Sequence, residues 1–356
     1  MVISYIFKRV FILIVILLIP WSTYAQSSLL FEEEEILEIT LSGDLNSLFK
    51  DRSGKPENFD INLSYMDLER QHTSIPLRAR TRGKFRRRPG FCKYPPIRLN
   101  FRKRDVKNTI FEDQDKLKLV MPCRGEKYVL REYLAYKIYN LLSDYSFRVR
   151  LLKVNLEDSN PKAKKQDSFF AFVIEEEQQL ASRTDMIEIG QDLIRPNDLE
   201  PNEFLKMALF QYMIGNTDWS VQFRQNIKLL QNVDNGELVG VPYDFDHAGI
   251  VLAPYAKPAE ELNLKDIRER RYRGYCVPNM ASFDDVFEFY NQKKEEIYSV
   301  YLNNDLLEKN YKNFIVKYLD EFYRTINNPR RAQIDMQYPC DPLGTGNVII
   351  KGLREN

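Results

Sequence analysis

Two acidic loops joined by one hairpin constrain this chain more than any other feature. Gly215-Asn216-Thr217-Asp218-Trp219-Ser220-Val221-Gln222-Phe223-Arg224-Gln225-Asn226 sets an Asn eight residues after Asp218, and Tyr243-Asp244-Phe245-Asp246-His247 follows two strand-like runs. Those runs, residues 227–230 and 238–241, flank Asp234-Asn235-Gly236, a strong hairpin turn signal. Pairing them folds Asp244 back toward Asn226. Upstream, Pro201 suits a first helical turn and Phe204, Leu205, Ala208, Leu209 and Tyr212 recur at helical spacing. Gly215 is placed to end that helix in a left-handed cap. The path is helix, loop, strand, turn, strand, acidic pair.

The remaining composition removes several alternatives. The four cysteines are Cys92, Cys123, Cys276 and Cys340, and the two histidines are His72 and His247. With no CxxC and so little His, neither a Cys/His zinc site nor a Ser-His-Asp hydrolase is supported. Lys8 and Arg9, an apolar run from Val10 to Pro20 and Thr23-Tyr24-Ala25 make the pattern of a secretory signal peptide over residues 1–25. The apolar run is shorter than the ~20 residues of a spanning helix, so no stable span is expected after cleavage. Loss of Lys8 and Arg9 takes the formal charge from +1 to −1, which argues against a dedicated nucleic-acid binder. An exported chain with an even cysteine count admits two disulfides. The pairs Cys92–Cys123 and Cys276–Cys340 are favoured, because each stays within one half of the chain.

Residues 29–68 read as short strands and turns behind an acidic leader, Glu32 to Glu35. A basic segment follows, in which Arg78, Arg80 and Arg82 alternate and Gly83 and Gly90 punctuate, the pattern of a loop whose backbone meets an anion. Ile97, Leu99 and Phe101 mark one strand, and Leu117, Leu119 and Met121 another. Residues 128–143 carry an apolar helical stripe of Leu130, Leu134, Ile138 and Leu141. A basic strand leading into a helix is how kinase-like folds pair a cation with a helix acid. Lys118 or Arg98 would hold nucleotide phosphates, with Glu132 or Glu126 as brace. Residues 169–174 form a buried strand ending at Glu175, the position of a hinge that meets a nucleobase. Beyond residue 250 come a basic segment at 268–273 and two helices, the second carried by Leu307, Tyr311, Phe314, Ile315, Tyr318, Leu319 and Phe322.

Phosphoryl transfer needs a carboxylate to accept the acceptor's proton and divalent metal to neutralise phosphate oxygens. Asp218 suits the first role, and Asn226, Asp244 and Asp246 suit the second, since magnesium takes a few oxygen ligands and keeps several waters. Asn216 and Thr217 would shape the turn. Paired acids after a strand also serve Asp-x-Asp nucleotide-sugar transferases, but that reading leaves Asp218 and Asn226 without a role.

On these residues the chain resembles the spore-coat protein H (CotH) type of atypical protein kinase. The matching pieces are Arg82-Gly83, Lys93 with Ile97-Arg98-Leu99-Asn100-Phe101, Leu130-Arg131-Glu132-Tyr133-Leu134-Ala135, Phe172-Val173-Ile174-Glu175-Glu176, residues 216–226, and Pro242-Tyr243-Asp244-Phe245-Asp246. Lys84-Phe85 departs from the polar residue and Ser that usually follow the family's Arg-Gly. The resemblance implies an α+β, bilobal kinase-like fold, with a mainly β N-lobe plus one helix and a mainly α C-lobe. It also implies ATP with Mg2+ or Mn2+, and transfer to Ser or Thr of a protein. Asp218 would be the catalytic Asp, with Asn226 and Asp244 as metal ligands. The expected layout is a signal peptide (1–25), a strand-rich extension (26–75), an N-lobe (76–180), a C-lobe (181–330) and a tail (331–356). The nucleotide side would comprise Arg82, Gly83, Arg98, Lys118, Glu132 and Glu175. The function expected is periplasmic or extracellular phosphoryl transfer; the rival is a catalytically inactive scaffold or binding protein.

Overall fold

A computed structural model describes residues 29–67, 69–160, 167–191 and 193–340. The expected signal peptide and residues 341–356 of the expected tail lie outside them.

A short helix, α1 (Leu29–Glu32), leads into β1 (Leu37–Gly43), α2 (Leu45–Lys50), β2 (Phe59–Met66), β3 (His72–Thr81), β4 (Ile97–Asn100) and β5 (Lys116–Val120). After α3 (Glu126–Leu142) come β6 (Val149–Asp158) and β7 (Ser168–Ile174). These strands close into a barrel in the order β1-β2-β3-β4-β5-β7-β6. Closure is made by β1 running parallel to β6, Leu37 opposite Leu152 through Gly43 opposite Asp158. Alternation puts Leu41, Leu63, Ala79, Leu99, Leu119, Val154 and Ala171 inside, each buried. Leu45 and Leu48 of α2 belong to the same core.

This barrel corrects the expected bilobal kinase fold. Residues 37–66, within the expected strand-rich extension (26–75), supply two strands that close the sheet on itself. The seven strands therefore enclose their own core, which is not how a typical kinase lobe is built. Helix α3 lies in the other, larger core, which is why its Arg131, Glu132, Tyr133, Tyr136 and Tyr139 are buried along with Leu130, Leu134 and Ile138, while Leu141 of the expected stripe is half-buried. The acidic leader is also more than solvated surface. Arg150, buried in β6, bonds Glu33 at 2.9 Å and the carbonyls of Leu30 and Glu35.

The second half has its own sheet. Helix α4 (Glu177–Arg183) and β8 (Met186–Ile189) precede α5 (Pro201–Ile214), β9 (Ile227–Asn232) and β10 (Leu238–Pro242). The order β10-β9-β8 includes the expected hairpin. The sheet packs on α4 and α5, and α6 (Asp284–Gln292), α7 (Lys294–Leu302), α8 (Lys309–Ile326) and α9 (Pro329–Met336) build on the helices, α6 against α5, α7 against α3 and α9 against α8. Disulfides join Cys92 to Cys123 and Cys276 to Cys340, as expected. Disulfides of this kind are compatible with export. Among the described residues no helix is long and apolar enough to cross a membrane.

Gly215 caps α5 in the left-handed region, at φ 68°, and a Cβ there would lie 2.1 Å from the Tyr318 hydroxyl oxygen. Gly215→Ala is expected to cost at least the ~1–3 kcal/mol of a left-handed non-glycine residue, read as a lowered denaturant midpoint. An unchanged midpoint would mean that Tyr318 moves aside without penalty.

Candidate functional site

The hairpin delivers the acidic loops to one place. Ile227 pairs with Pro242, and the Tyr243 N–H donates to the Asn226 carbonyl at 3.0 Å. Asn226 and Asp244 therefore flank the open end of the hairpin. Both take left-handed backbone, φ 50° and 62°, a conformation that Asn and Asp tolerate better than most residues. Asn226 donates its side-chain amide to the Asp218 carbonyl at 2.7 Å and to Asp218 Oδ2 at 3.0 Å. The amide N–H groups thus go to Asp218, and the Asn226 carbonyl oxygen is the atom suited to a cation. Asp218 is 7 % exposed.

The loop before it is cross-braced. The Asn216 carbonyl oxygen accepts from the Asp218 N–H at 3.0 Å, while its amide donates to Gln211 at 2.9 Å. This is the turn-shaping role expected of Asn216. Arg273 donates to the carbonyls of Thr217 and Trp219, on either side of Asp218. Arg270 likewise donates to the Met213 and Tyr318 carbonyls. The 268–273 segment is therefore in part an internal clamp, and a reading as basic surface alone does not hold for it.

Opposite the hairpin, the barrel presents cations. Register sets Arg98 of β4 beside Lys118 of β5, and the chain leaving β3 brings Arg82 next to them. Burial lowers the Arg82 pKa; Arg86 and Arg98 lower it further, and the Asp244 charge works the other way. Burial also pushes Lys118 down, with Arg82 reinforcing and Glu177, 2.6 Å away, opposing. Arg98 Nε is buried without a hydrogen-bond partner among the described residues. Gly83 takes φ 79°, and a Cβ there would meet nothing within 4 Å, so its backbone is open to approach. Like charges gathered this way repel in the absence of an anion.

Glu132 does not brace Lys118 or Arg98. Its partner is Arg86, whose role the sequence reading missed; the only signal was its membership of a basic run. Arg86 touches three carboxylates: Glu132 Oε2 at 3.2 Å, Asp244 Oδ1 at 2.5 Å and Asp246 Oδ2 at 3.2 Å. Helix α3 contributes twice, because Tyr136, one turn beyond Glu132, accepts the Asp244 N–H at 2.7 Å. Tyr255 donates to Asp246 at 3.0 Å. Burial pushes the Glu132 carboxyl up to about 8, against the pull of Arg86. Burial and the Asp246 charge raise Asp244, whereas Arg86 overcomes burial at Asp246 and holds it low. The Arg86 loop is fixed by the Cys92–Cys123 bridge and by Arg52, which donates to the carbonyls of Arg87, Cys92 and Lys93.

Two candidates sit apart from this centre. Glu175 binds Arg183 at 2.8 Å and accepts the Arg148 N–H at 3.0 Å, a structural tie. Glu126 accepts the Phe170 N–H at 2.6 Å and lies 3.6 Å from Lys153.

Among the described residues no group of three or more His, Cys, Asp or Glu side chains forms a ready-made metal cage. Of the oxygen donors expected to take magnesium or manganese, Asn226, Asp244 and Asp246, the last already has its Oδ2 engaged by Arg86 and Tyr255. The Asp244 side chain, 40 % exposed, is the accessible member.

No protein-family model matches the chain, and no curated protein matches it. Among solved structures, the crystal structure of a Helicobacter pylori proinflammatory kinase, CtkA, is similar over 67 % of this chain and 92 % of that one. The identity is 12 % and the TM-score 0.38. This is a weak structural neighbour that is a kinase.

Proposed function

We propose that the protein transfers the γ-phosphoryl group of ATP, with Mg2+ or Mn2+, to a Ser or Thr hydroxyl of an exported or cell-envelope protein. The observation that carries this reading is the grouping of Arg82 with Arg86, Arg98 and Lys118, beside an Asp244 that the hairpin sets next to Asn226. A polyphosphate suits those cations, since it would relieve the repulsion among them and place its terminal group by the acids. The CotH-type resemblance supports the same assignment, on the residues already quoted.

Asp218 accepts the acceptor hydroxyl's proton as that oxygen bonds to the γ-phosphorus. The bond from phosphorus to the β–γ bridging oxygen breaks, and ADP leaves. Asn226 keeps the Asp218 carboxylate aimed through the 3.0 Å amide bond. Arg82, Arg98 and Lys118 orient the phosphates. Asn226, Asp244 and Asp246 would hold the metal, whose charge would neutralise phosphate oxygens.

The test uses the folded protein with γ-labelled ATP, Mn2+ or Mg2+ and an envelope extract. The expected products are ADP and labelled phosphoserine or phosphothreonine after acid hydrolysis, both lost with EDTA. Free phosphate as the sole labelled product would contradict the acceptor class. One observation favours a second reading, a catalytically inactive binding protein: Arg86 already neutralises part of the carboxylate cluster. That reading expects nucleotide binding with neither ADP nor labelled product.

A further inference from the structure

The position of Arg86 carries an inference about how the centre takes up its metal, and it rests on the functional reading above. Three acidic side chains face one guanidinium: Glu132 is held by Nη1 at 3.2 Å and by Nη2 at 3.4 Å, Asp244 by Nη2 and Asp246 by Nε. Arg86 thus supplies one positive charge to a cluster of three acids. The three contacts differ in accessibility. Glu132 and Asp246 are buried, with side chains 3 % and 7 % exposed, whereas Asp244 is 40 % exposed. The inner contacts are thus sheltered and the Asp244 contact faces solvent, where a hydrated cation arrives and where ion pairs are weakest. On the same side Arg98 holds a buried Nε without a partner among the described residues, a donor awaiting an acceptor.

We propose that Arg86 and the divalent cation exchange at Asp244: the cation takes the Asp244 carboxylate, while Glu132 retains the guanidinium and presents it to the phosphates. Arg86 is then a positioning cation in the loaded centre and the stand-in for the metal in the empty one. The exchange makes metal alone bind weakly and metal with nucleotide bind well. Displacing Arg86 from Asp244 is costly unless phosphate oxygens receive its freed N–H groups.

Removing Arg86 alone strands buried carboxylates, so the test compares Glu132→Gln with Arg86→Met/Glu132→Gln, after circular dichroism shows both folded. Calorimetry with Mn2+ alone is expected to show at least tenfold tighter binding in the double variant than in Glu132→Gln. ATP titrated at saturating Mn2+ is expected to bind the double variant at least tenfold more weakly. Arg86→Lys, which keeps a charge but not the planar fork of three separate nitrogens, should lie between wild type and the double variant for Mn2+ alone. It also serves as the test if the double variant does not fold. Equal or weaker Mn2+ binding in these variants, with wild type still binding ATP and Mn2+, overturns the exchange and leaves the functional reading standing. A wild type that binds neither ATP nor Mn2+ overturns both.

Discussion

Asp218→Asn is expected to lower phosphoryl transfer by about 10²–10⁴-fold, the usual contribution of a positioned general base. Asn keeps the shape of the carboxylate and one of its acceptor oxygens, so the loop between α5 and β9 has reason to stay in place. Asn216, Gln211 and Arg273 hold that loop through backbone contacts and through each other. The loss should therefore fall on kcat, with ATP binding at saturating Mn2+ changed by less than threefold. A parallel loss of ATP affinity would mean that Asp218 holds the metal or the loop, not the acceptor's proton.

The second large effect is on stability. Arg86→Met is expected to cost about 3 kcal/mol, the low end for breaking a buried ion pair by removing one partner. The low end applies because Asp244 is 40 % exposed and solvent screens its share. Asp246, the buried carboxylate that Arg86 holds ionised, carries most of the penalty, whereas Glu132 keeps its proton up to about 8. The pH dependence follows from Glu132. Its native carboxyl holds its proton up to about 8, whereas an unfolded one releases it near 4.5. Between those values the native state binds more protons, so this group's contribution to stability falls as pH rises through the window. Glu132→Gln removes that slope. Equilibrium urea unfolding between pH 5 and 8 reads both effects; an unchanged slope would mean that Glu132 is ionised throughout.

What could be read from the sequence was local. The hairpin turn at Asp234-Asn235-Gly236, the Gly215 cap and the spacing from Asp218 to Asn226 are short-range signals, and each element lies where they put it. The disulfide pairs followed from keeping partners within each half. Barrel closure was not legible, because β1 and β6 are distant in sequence and parallel pairing leaves no turn between them. The kinase-like lobe expected from that region failed for this reason. The single helix break at Lys293, dividing α6 from α7, likewise has no glycine or proline to announce it.

The partner of Glu132 was hidden for another reason. A strand cation adjacent to a helix acid is a local expectation, and it favoured Lys118 or Arg98. Lys118 instead finds Glu177 at 2.6 Å, and Arg86 reaches Glu132 from a loop held by the Cys92–Cys123 bridge. Which of thirteen neighbouring basic-segment residues turns inward depends on that loop's path, which side-chain pattern does not encode. Arg98 and Lys118, by contrast, lie side by side because strand register places them, and Arg82 joins them one residue past the end of β3.

The account turns on Asp218, Asn226 and Asp244 acting as one metal-dependent centre. The most direct measurement is γ-labelled ATP turnover with Mn2+ by wild type, Asp218→Asn and Asp244→Asn, run side by side. Label transfer by wild type, reduced at least a hundredfold in each variant and absent with EDTA, is the result expected. Equal transfer by all three proteins, or none by any, would contradict it.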